Sequence, residues 1–219
     1  MKSRVGLLGG TFNPIHRGHI ELGLRIREAF HLERILYILS ANPPHKKGSE
    51  IAPAALRWQM LVKALKPLPF LIPCDIEMKR PLASWTIDTI DQLTGQYPGD
   101  RFYFISGSEG FLKIKTWKNY KKLLDTLSFI VVLRKEAHKE EVVRLLEGEG
   151  IIPCFNAALS GGGNGEIEEH TVYIFSYRSD KLRISSTLIR QKIKLSGYID
   201  GLVEKEVKKI MEENKLYEK

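Results

Sequence analysis

A short apolar run, Val5-Gly6-Leu7-Leu8, passes through Gly9-Gly10-Thr11-Phe12-Asn13-Pro14-Ile15-His16-Arg17-Gly18-His19 into an amphipathic segment that begins at Ile20. This succession reads as a strand, a glycine-rich turn and a helix start, and no other stretch limits the possible folds so strongly. Glycines let the backbone come close to a bulky anion, and the N–H groups of a turn and a helix start can receive it. His16 and His19, spaced i, i+3, fall where the helix opens and add donors to the same rim. Such an arrangement suits a triphosphate.

The same alternation continues along the chain. Helical period is expected over Ile20 to Phe30, Ala54 to Leu65, Thr86 to Leu93 (ended by Gly95), Tyr120 to Leu127, Glu140 to Glu147, Ser186 to Lys194 and Val203 to Asn214. Strands are expected at Arg34 to Leu39, Leu71 to Ile76, Arg101 to Ser106, Phe129 to Leu133 and Tyr173 to Tyr177. A second glycine-containing turn, Gly107-Ser108-Glu109-Gly110, follows the fourth strand. Repeated strand–helix units imply a parallel sheet covered on both faces, because parallel neighbours need crossovers that helices supply. The expected class is therefore α/β, a doubly wound parallel sheet with C-terminal helices. One domain spans 1–219, with a helical portion of about 184–219 packed on it. Ligands of such sheets sit at the carboxyl ends of the strands.

Composition narrows the function without choosing it. Apolar residues make up 43% and charged residues 27% of 219, ordinary values for a globular chain, and the net charge of +8 favours an anionic partner. A nucleic-acid-binding role would need basic residues clustered with aromatics, whereas here they are scattered, so no nucleic acid is expected. Cys74 and Cys154 lie far apart, each beside a proline, and read as two buried, reduced thiols of a cytoplasmic protein. Met1-Lys2-Ser3-Arg4 leads straight into the first strand, so no signal peptide is expected, and no apolar run approaches the roughly 18–20 residues of a membrane span. Ser160-Gly161-Gly162-Gly163-Asn164-Gly165 reads as a surface loop, and a homo-oligomer is compatible with the sequence. His16 and His19 lack a third convincing ligand, so no protein metal site is expected.

Six stretches in order make the reading specific: Gly9 to His19, Asn42-Pro43-Pro44-His45-Lys46, Ser84-Trp85-Thr86, Ser106 to Glu109, Thr116-Trp117, and Ile184-Ser185-Ser186-Thr187-Leu188-Ile189-Arg190. With them the chain resembles the bacterial nicotinate-nucleotide adenylyltransferases, of the nucleotidyltransferase superfamily with two histidines around a glycine. The resemblance implies a Rossmann-like nucleotidyltransferase fold. It also implies adenylyl transfer from ATP to nicotinate mononucleotide, giving deamido-NAD and pyrophosphate, with Mg2+ accompanying the ATP. His16, His19 and Arg190 would be catalytic. Gly9, Gly10, Thr11, Phe12, Lys46, Ser106, Gly107, Glu109, Ile184 and Ser186 would join them in holding ATP. Asn13, Trp85, Thr86 and Trp117 would meet the mononucleotide.

The chemistry agrees with that residue set. An attacking phosphate with a second pKa of about 6 is largely dianionic at neutral pH and needs no general base. Catalysis then consists of holding two anions in line and neutralising charge on the leaving group. Read on residues alone, Ser185-Ser186-Thr187 with Arg190 is equally a serine-capped helix with a surface arginine, and Trp117 is equally core. The chain departs from the pattern at Asn13 (usually Asp), Trp85 (usually Tyr), Glu109 (usually Asp) and Ser40 (often Pro). Nicotinamide mononucleotide or another phosphorylated acceptor, such as phosphopantetheine, is the alternative within the superfamily. A nucleic-acid-binding protein is the alternative from another class, and a non-catalytic nucleotide sensor on the same scaffold is a third.

Overall fold

The expected alternation is present in a computed structural model that describes residues 3–42, 51–80, 85–133, 138–155, 170–177 and 179–218. In chain order the elements are β1 (Arg4–Gly10), α1 (Arg17–Ala29), β2 (Arg34–Leu39), α2 (Ala54–Leu65), β3 (Leu71–Cys74), α3 (Thr86–Gln96), β4 (Arg101–Gly107) and α4 (Ser108–Phe111). They continue with α5 (Tyr120–Thr126), β5 (Ser128–Val132), α6 (His138–Glu147), β6 (Cys154–Phe155), β7 (Val172–Phe175), α7 (Ser186–Lys194) and α8 (Lys205–Glu213). Short 3-10 turns lie at Ile114–Thr116 and Asp180–Arg183.

One seven-stranded sheet runs in the order β3-β2-β1-β4-β5-β7-β6. β1 pairs in parallel with β4 from Arg4↔Arg101 to Leu8↔Ile105, and β4 with β5, β5 with β7 and β6 with β7 are parallel too. The order reverses between β1 and β4, as in a doubly wound sheet. In β2, Arg-Ile-Leu-Tyr-Ile-Leu is buried at every position but the first, the unbroken apolar run of a strand covered on both faces.

The chain divides into two compact units. The first comprises Met1–Leu8, Ile26–Ile35 and Trp85–Arg178, the second Gly9–Arg25, Leu36–Ser84 and Ser179–Lys219. In the first, Phe30 is edge-on to Tyr173 and Phe175, while Phe129 receives Phe104 and Phe111, so large rings fill the core between helix and strands. In the second, Met60, Leu61, Ala64 and Leu65 form the apolar stripe of α2, which packs against α8 with its buried Val207 and Met211. Among the described residues no helix is long and apolar enough to cross a membrane.

Several boundaries differ from the sequence reading for physical reasons. α3 runs through Gly95 to Gln96, since a single exposed glycine in the last turn costs only about 1 kcal/mol against alanine. The stop comes from Pro98, which excludes Tyr97 before it from helical angles. The expected turn at Gly107–Gly110 is instead the start of α4 at Ser108. β6 was not foreseen, since two residues carry no periodicity. Both cysteines are free, as expected, yet half-buried rather than buried. The glycine-rich stretch Ser160 to Gly165 lies outside the described residues.

Candidate active site

The second unit contains the turn that leaves β1. A Cβ at Gly10 would stand 2.9 Å from the ring of Phe12, so only glycine lets that ring fold back beneath the strand end. Phe12 has φ 45°, a left-handed conformation that costs a bulky residue of the order of 1–3 kcal/mol and persists only where neighbours enforce it. Here the enforcing neighbours are His19, met edge-on at 5.1 Å, and Tyr37, whose ring centre lies 5.8 Å away. The following peptide, Asn13-Pro14, is cis. Ser40 N–H donates to the Gly10 carbonyl at 2.9 Å, joining the segment after β2 to this turn.

His16 immediately precedes α1 and His19 lies in its first turn. Their rings stack with centres 3.6 Å apart and planes 23° from parallel. His16 N–H reaches His19 Nδ1 at 3.3 Å, while His19 N–H donates to the His16 carbonyl at 2.9 Å and approaches His16 Nδ1 at 3.3 Å. Each Nδ1 therefore acts as an acceptor, which assigns the proton of the neutral ring to Nε2, the far side from the backbone. His16 is 3% exposed and His19 half-buried, so His19 is the more accessible donor. Gly18 between them is required: its Cβ would lie 2.5 Å from the Lys181 carbonyl and 3.0 Å from His16 Nδ1. Arg17 N–H donates to the Leu202 carbonyl and its Nε to Glu204 at 3.0 Å, while Lys181 pairs with Glu21 at 3.1 Å. These contacts seat the start of α1 against the C-terminal segment.

That segment brings α7 to the same turn. Ser185 is the N-cap, its Oγ accepting from Leu188 N–H at 3.1 Å. The N–H groups of Ser186 and Thr187, in the first turn of a nine-residue helix, have no partner among the described residues. Ser186 Oγ donates to the Pro14 carbonyl at 2.9 Å, and Arg190 Nη1 donates to the Asn13 carbonyl at 2.9 Å. The structure thus gathers Thr11, Phe12, Asn13, His16, His19, Ser186 and Arg190 in one place. Since the Ser186 hydroxyl hydrogen already goes to Pro14, an anion would meet this residue through its backbone N–H. Ile184, expected among the ATP contacts, is buried, and its N–H donates to the Lys181 carbonyl at 3.1 Å.

Asn13, expected at the mononucleotide, is 5% exposed, and its Oδ1 accepts from Ala52 N–H at 3.0 Å and from the Tyr217 hydroxyl at 2.8 Å. Burial raises the Tyr217 phenol well above its ordinary range against the opposing pull of Arg190 and Arg57, so its hydroxyl stays a donor. Arg57 was missed by the sequence reading. It is 1% exposed, and its guanidinium donates to the carbonyls of Ala52, Thr11, Ser40 and Ala41 at 2.7–2.9 Å. The available signal was its position: 57, 60, 61, 64 and 65 share one face of α2, and an arginine on an apolar stripe must find internal partners.

The first unit carries the other expected residues. Ser106 is buried, with its Oγ donating to the Gly107 carbonyl; Gly107 is the N-cap of α4, and Glu109 is exposed. Trp117 is half-buried and edge-on to Phe104 at 5.6 Å. Thr86 opens α3, with Trp85 at the N-cap, and Lys118 pairs with Asp88 at 3.0 Å, tying the Trp117 segment to that helix start. Lys46 and its neighbour His45 lie outside the described residues.

An α/β sheet whose first crossover carries stacked histidines beside a helix N-terminus and an arginine has the equipment of a nucleotidyltransferase. A family model described as cytidylyltransferase-like matches residues 7–192. A Geotalea daltonii protein named "Probable nicotinate-nucleotide adenylyltransferase" is 34% identical over 216 residues, covering 98% of each chain. A Clostridium acetobutylicum protein of the same name is 31% identical, covering 99% of this chain and 100% of its own. The fold is also that of the Plasmodium falciparum nicotinic acid mononucleotide adenylyltransferase complexed with NaAD, with a TM-score of 0.74 at 16% identity over 98% of this chain and 97% of that one. The chain belongs to the cytidylyltransferase-like family and, within it, to the nicotinate-nucleotide adenylyltransferases.

Proposed function

We propose that this protein transfers the adenylyl group of ATP to nicotinate mononucleotide, forming deamido-NAD and releasing pyrophosphate. The observation that carries the reading is the meeting of His16, His19, the start of α7 and Arg190 on the single turn that leaves β1. The relatives that align over the whole chain bear the name of this activity.

The mononucleotide phosphate attacks the α-phosphorus of ATP, a P–O bond forms there, and the bond to the bridging oxygen breaks with its electrons leaving on pyrophosphate. His19 Nε2–H and Arg190 donate to oxygens on which charge builds, and the Ser186 and Thr187 amides at the positive end of α7 receive the tail. His16 supports His19 by stacking and by its backbone N–H. Ser106, Gly107 and Glu109 are assigned to ATP, and Thr86, Trp85 and Trp117 to the mononucleotide. Among the described residues no cluster of three or more His, Cys, Asp or Glu could hold a metal. A magnesium ion would be carried by the triphosphate oxygens and supply charge neutralisation there.

The test is pyrophosphate release from ATP with nicotinate mononucleotide and nicotinamide mononucleotide in parallel, with and without EDTA. Release that is faster with the acid and stops with EDTA is expected. Faster release with the amide would move the assignment to that acceptor, and no release with either would overturn the reaction.

A further inference from the structure

We propose that Arg57 is a positioning residue that shapes the anion-receiving turn from behind, an inference that rests on the reading of that turn as the polyphosphate site. Its guanidinium is buried on the apolar face of α2, and among the described residues no carboxylate pairs with it. Instead it gathers carbonyls from three segments: Thr11 after β1, Ser40 and Ala41 after β2, and Ala52 before α2. In a planar trans peptide the N–H points opposite to the C=O. Pulling the Thr11, Ser40 and Ala41 carbonyls inward therefore turns the amides of Phe12, Ala41 and Asn42 away from the guanidinium. Arg57 thus orients a set of backbone donors that it does not itself join. It also leaves a positive charge behind them, since carbonyl dipoles fix a guanidinium without cancelling its charge. Lysine keeps the charge but lacks the planar fork that serves several acceptors at once.

The experiment compares wild type, Arg57→Lys and Arg57→Met as full chains. It combines calorimetric binding of inorganic tripolyphosphate, steady-state kinetics for each substrate, and amide hydrogen exchange. Arg57→Lys is expected to stay folded, bind tripolyphosphate about tenfold more weakly, and show a matching rise in KM for ATP, the size expected when hydrogen bonds to a charged group are lost. The KM for the mononucleotide should stay within about twofold, while Phe12, Ala41 and Asn42 amides exchange about tenfold faster or more. Arg57→Met should lose more affinity than Arg57→Lys.

A folded Arg57→Lys with lowered thermal stability but unchanged tripolyphosphate affinity and unchanged exchange would overturn the proposal. Amide spectra of wild type titrated with tripolyphosphate need no variant and serve if neither folds. Shifts at Phe12, Ala41 and Asn42 are expected, and their absence while the Ser186 and Thr187 amides shift overturns the proposal. If wild type binds no tripolyphosphate, the polyphosphate reading of the turn fails instead, and the exchange comparison alone judges whether Arg57 orients those amides.

Discussion

Gly23 offers a sharp test of how tightly the histidine pair is held. It is buried in the middle of α1, and a Cβ there would stand 2.0 Å from the Tyr37 hydroxyl oxygen and 3.1 Å from the ring carbon that bears it. That hydroxyl donates to the His19 carbonyl at 2.8 Å, the same carbonyl to which helix geometry sends the Gly23 N–H. In an open helix interior, Gly→Ala gains about 1 kcal/mol. Here the methyl must displace a fully buried tyrosine, at a cost of about 1–3 kcal/mol for overpacking. Losing the hydroxyl bond adds about 1 kcal/mol. The net expectation for Gly23→Ala is a loss of about 1–3 kcal/mol, or a fall in Tm of roughly 2–12 °C for a chain of this size. Turnover should fall as well, because Tyr37 also braces Phe12 against His19. Tyr37→Phe removes the clashing oxygen, so the double variant should be less destabilised than the sum of the singles by about 1 kcal/mol or more. Urea unfolding of the four proteins, with steady-state rates, measures this. Additive losses, or a Gly23→Ala protein more stable than wild type, would refute the steric argument.

Three further outcomes are expected. His19→Ala should lower kcat by about 10²–10³ with the circular dichroism spectrum unchanged, the size seen when one transition-state donor is removed; turnover close to wild type would remove His19 from the reaction. Tyr217→Phe deletes one donor to Asn13 Oδ1 while Ala52 N–H still satisfies that atom, so a stability loss of about 1 kcal/mol with a moderate fall in kcat/KM is expected from unfolding curves and kinetics. Burial pushes the Glu21 carboxyl up, but hydrogen bonds from Lys181 and Arg25 outweigh it and hold the group below its ordinary range. A depressed carboxyl stabilises the fold above its unfolded pKa, and that contribution disappears as pH falls through the folded value. Glu21→Gln should therefore be less stable than wild type near neutrality, with the gap closing in acid; urea midpoints that differ equally at every pH would contradict this.

Some of the architecture could be read at residue precision. β2, α2 and α7 begin and end where the sequence places them, because each has a local cause: an unbroken apolar run, Pro53 ahead of an amphipathic stripe, and Ser185 as N-cap. The approach of α7 to the turn after β1 was an expectation of resemblance, since nothing local in Ser186 or Arg190 names Pro14 and Asn13 as partners. Arg57 was legible in principle, as a charge on an apolar stripe, but its four acceptors come from segments whose meeting depends on the whole unit. Tyr217 carried no signal at all, because one aromatic in a polar tail is indistinguishable from surface until its hydroxyl is seen on Asn13. Asn13 has a second role that its type alone does not announce: its side chain ties Ala52 to Tyr217, and its carbonyl receives Arg190.

The ties share a chemical logic that bears on catalysis. Arg17 and Lys181, which seat the start of α1, are met by the carboxylates of Glu204 and Glu21. Arg57 and Arg190, which touch the anion-receiving turn, are met by main-chain carbonyls, and the side chain at the hub, Asn13, is neutral. A carboxylate would hold a guanidinium as firmly but would cancel its charge and repel an incoming phosphate at a distance where such terms amount to kilocalories. Carbonyl dipoles fix the geometry and leave the positive potential in place for a highly charged tail and for the charge that develops on the leaving pyrophosphate. Backbone N–H groups likewise approach Nδ1 of both histidines and help to orient their rings. At the turn after β1, the Arg57 and Arg190 guanidiniums are thus fixed through main-chain carbonyls of Thr11 and Asn13, an arrangement that keeps their charge directed at a bound substrate.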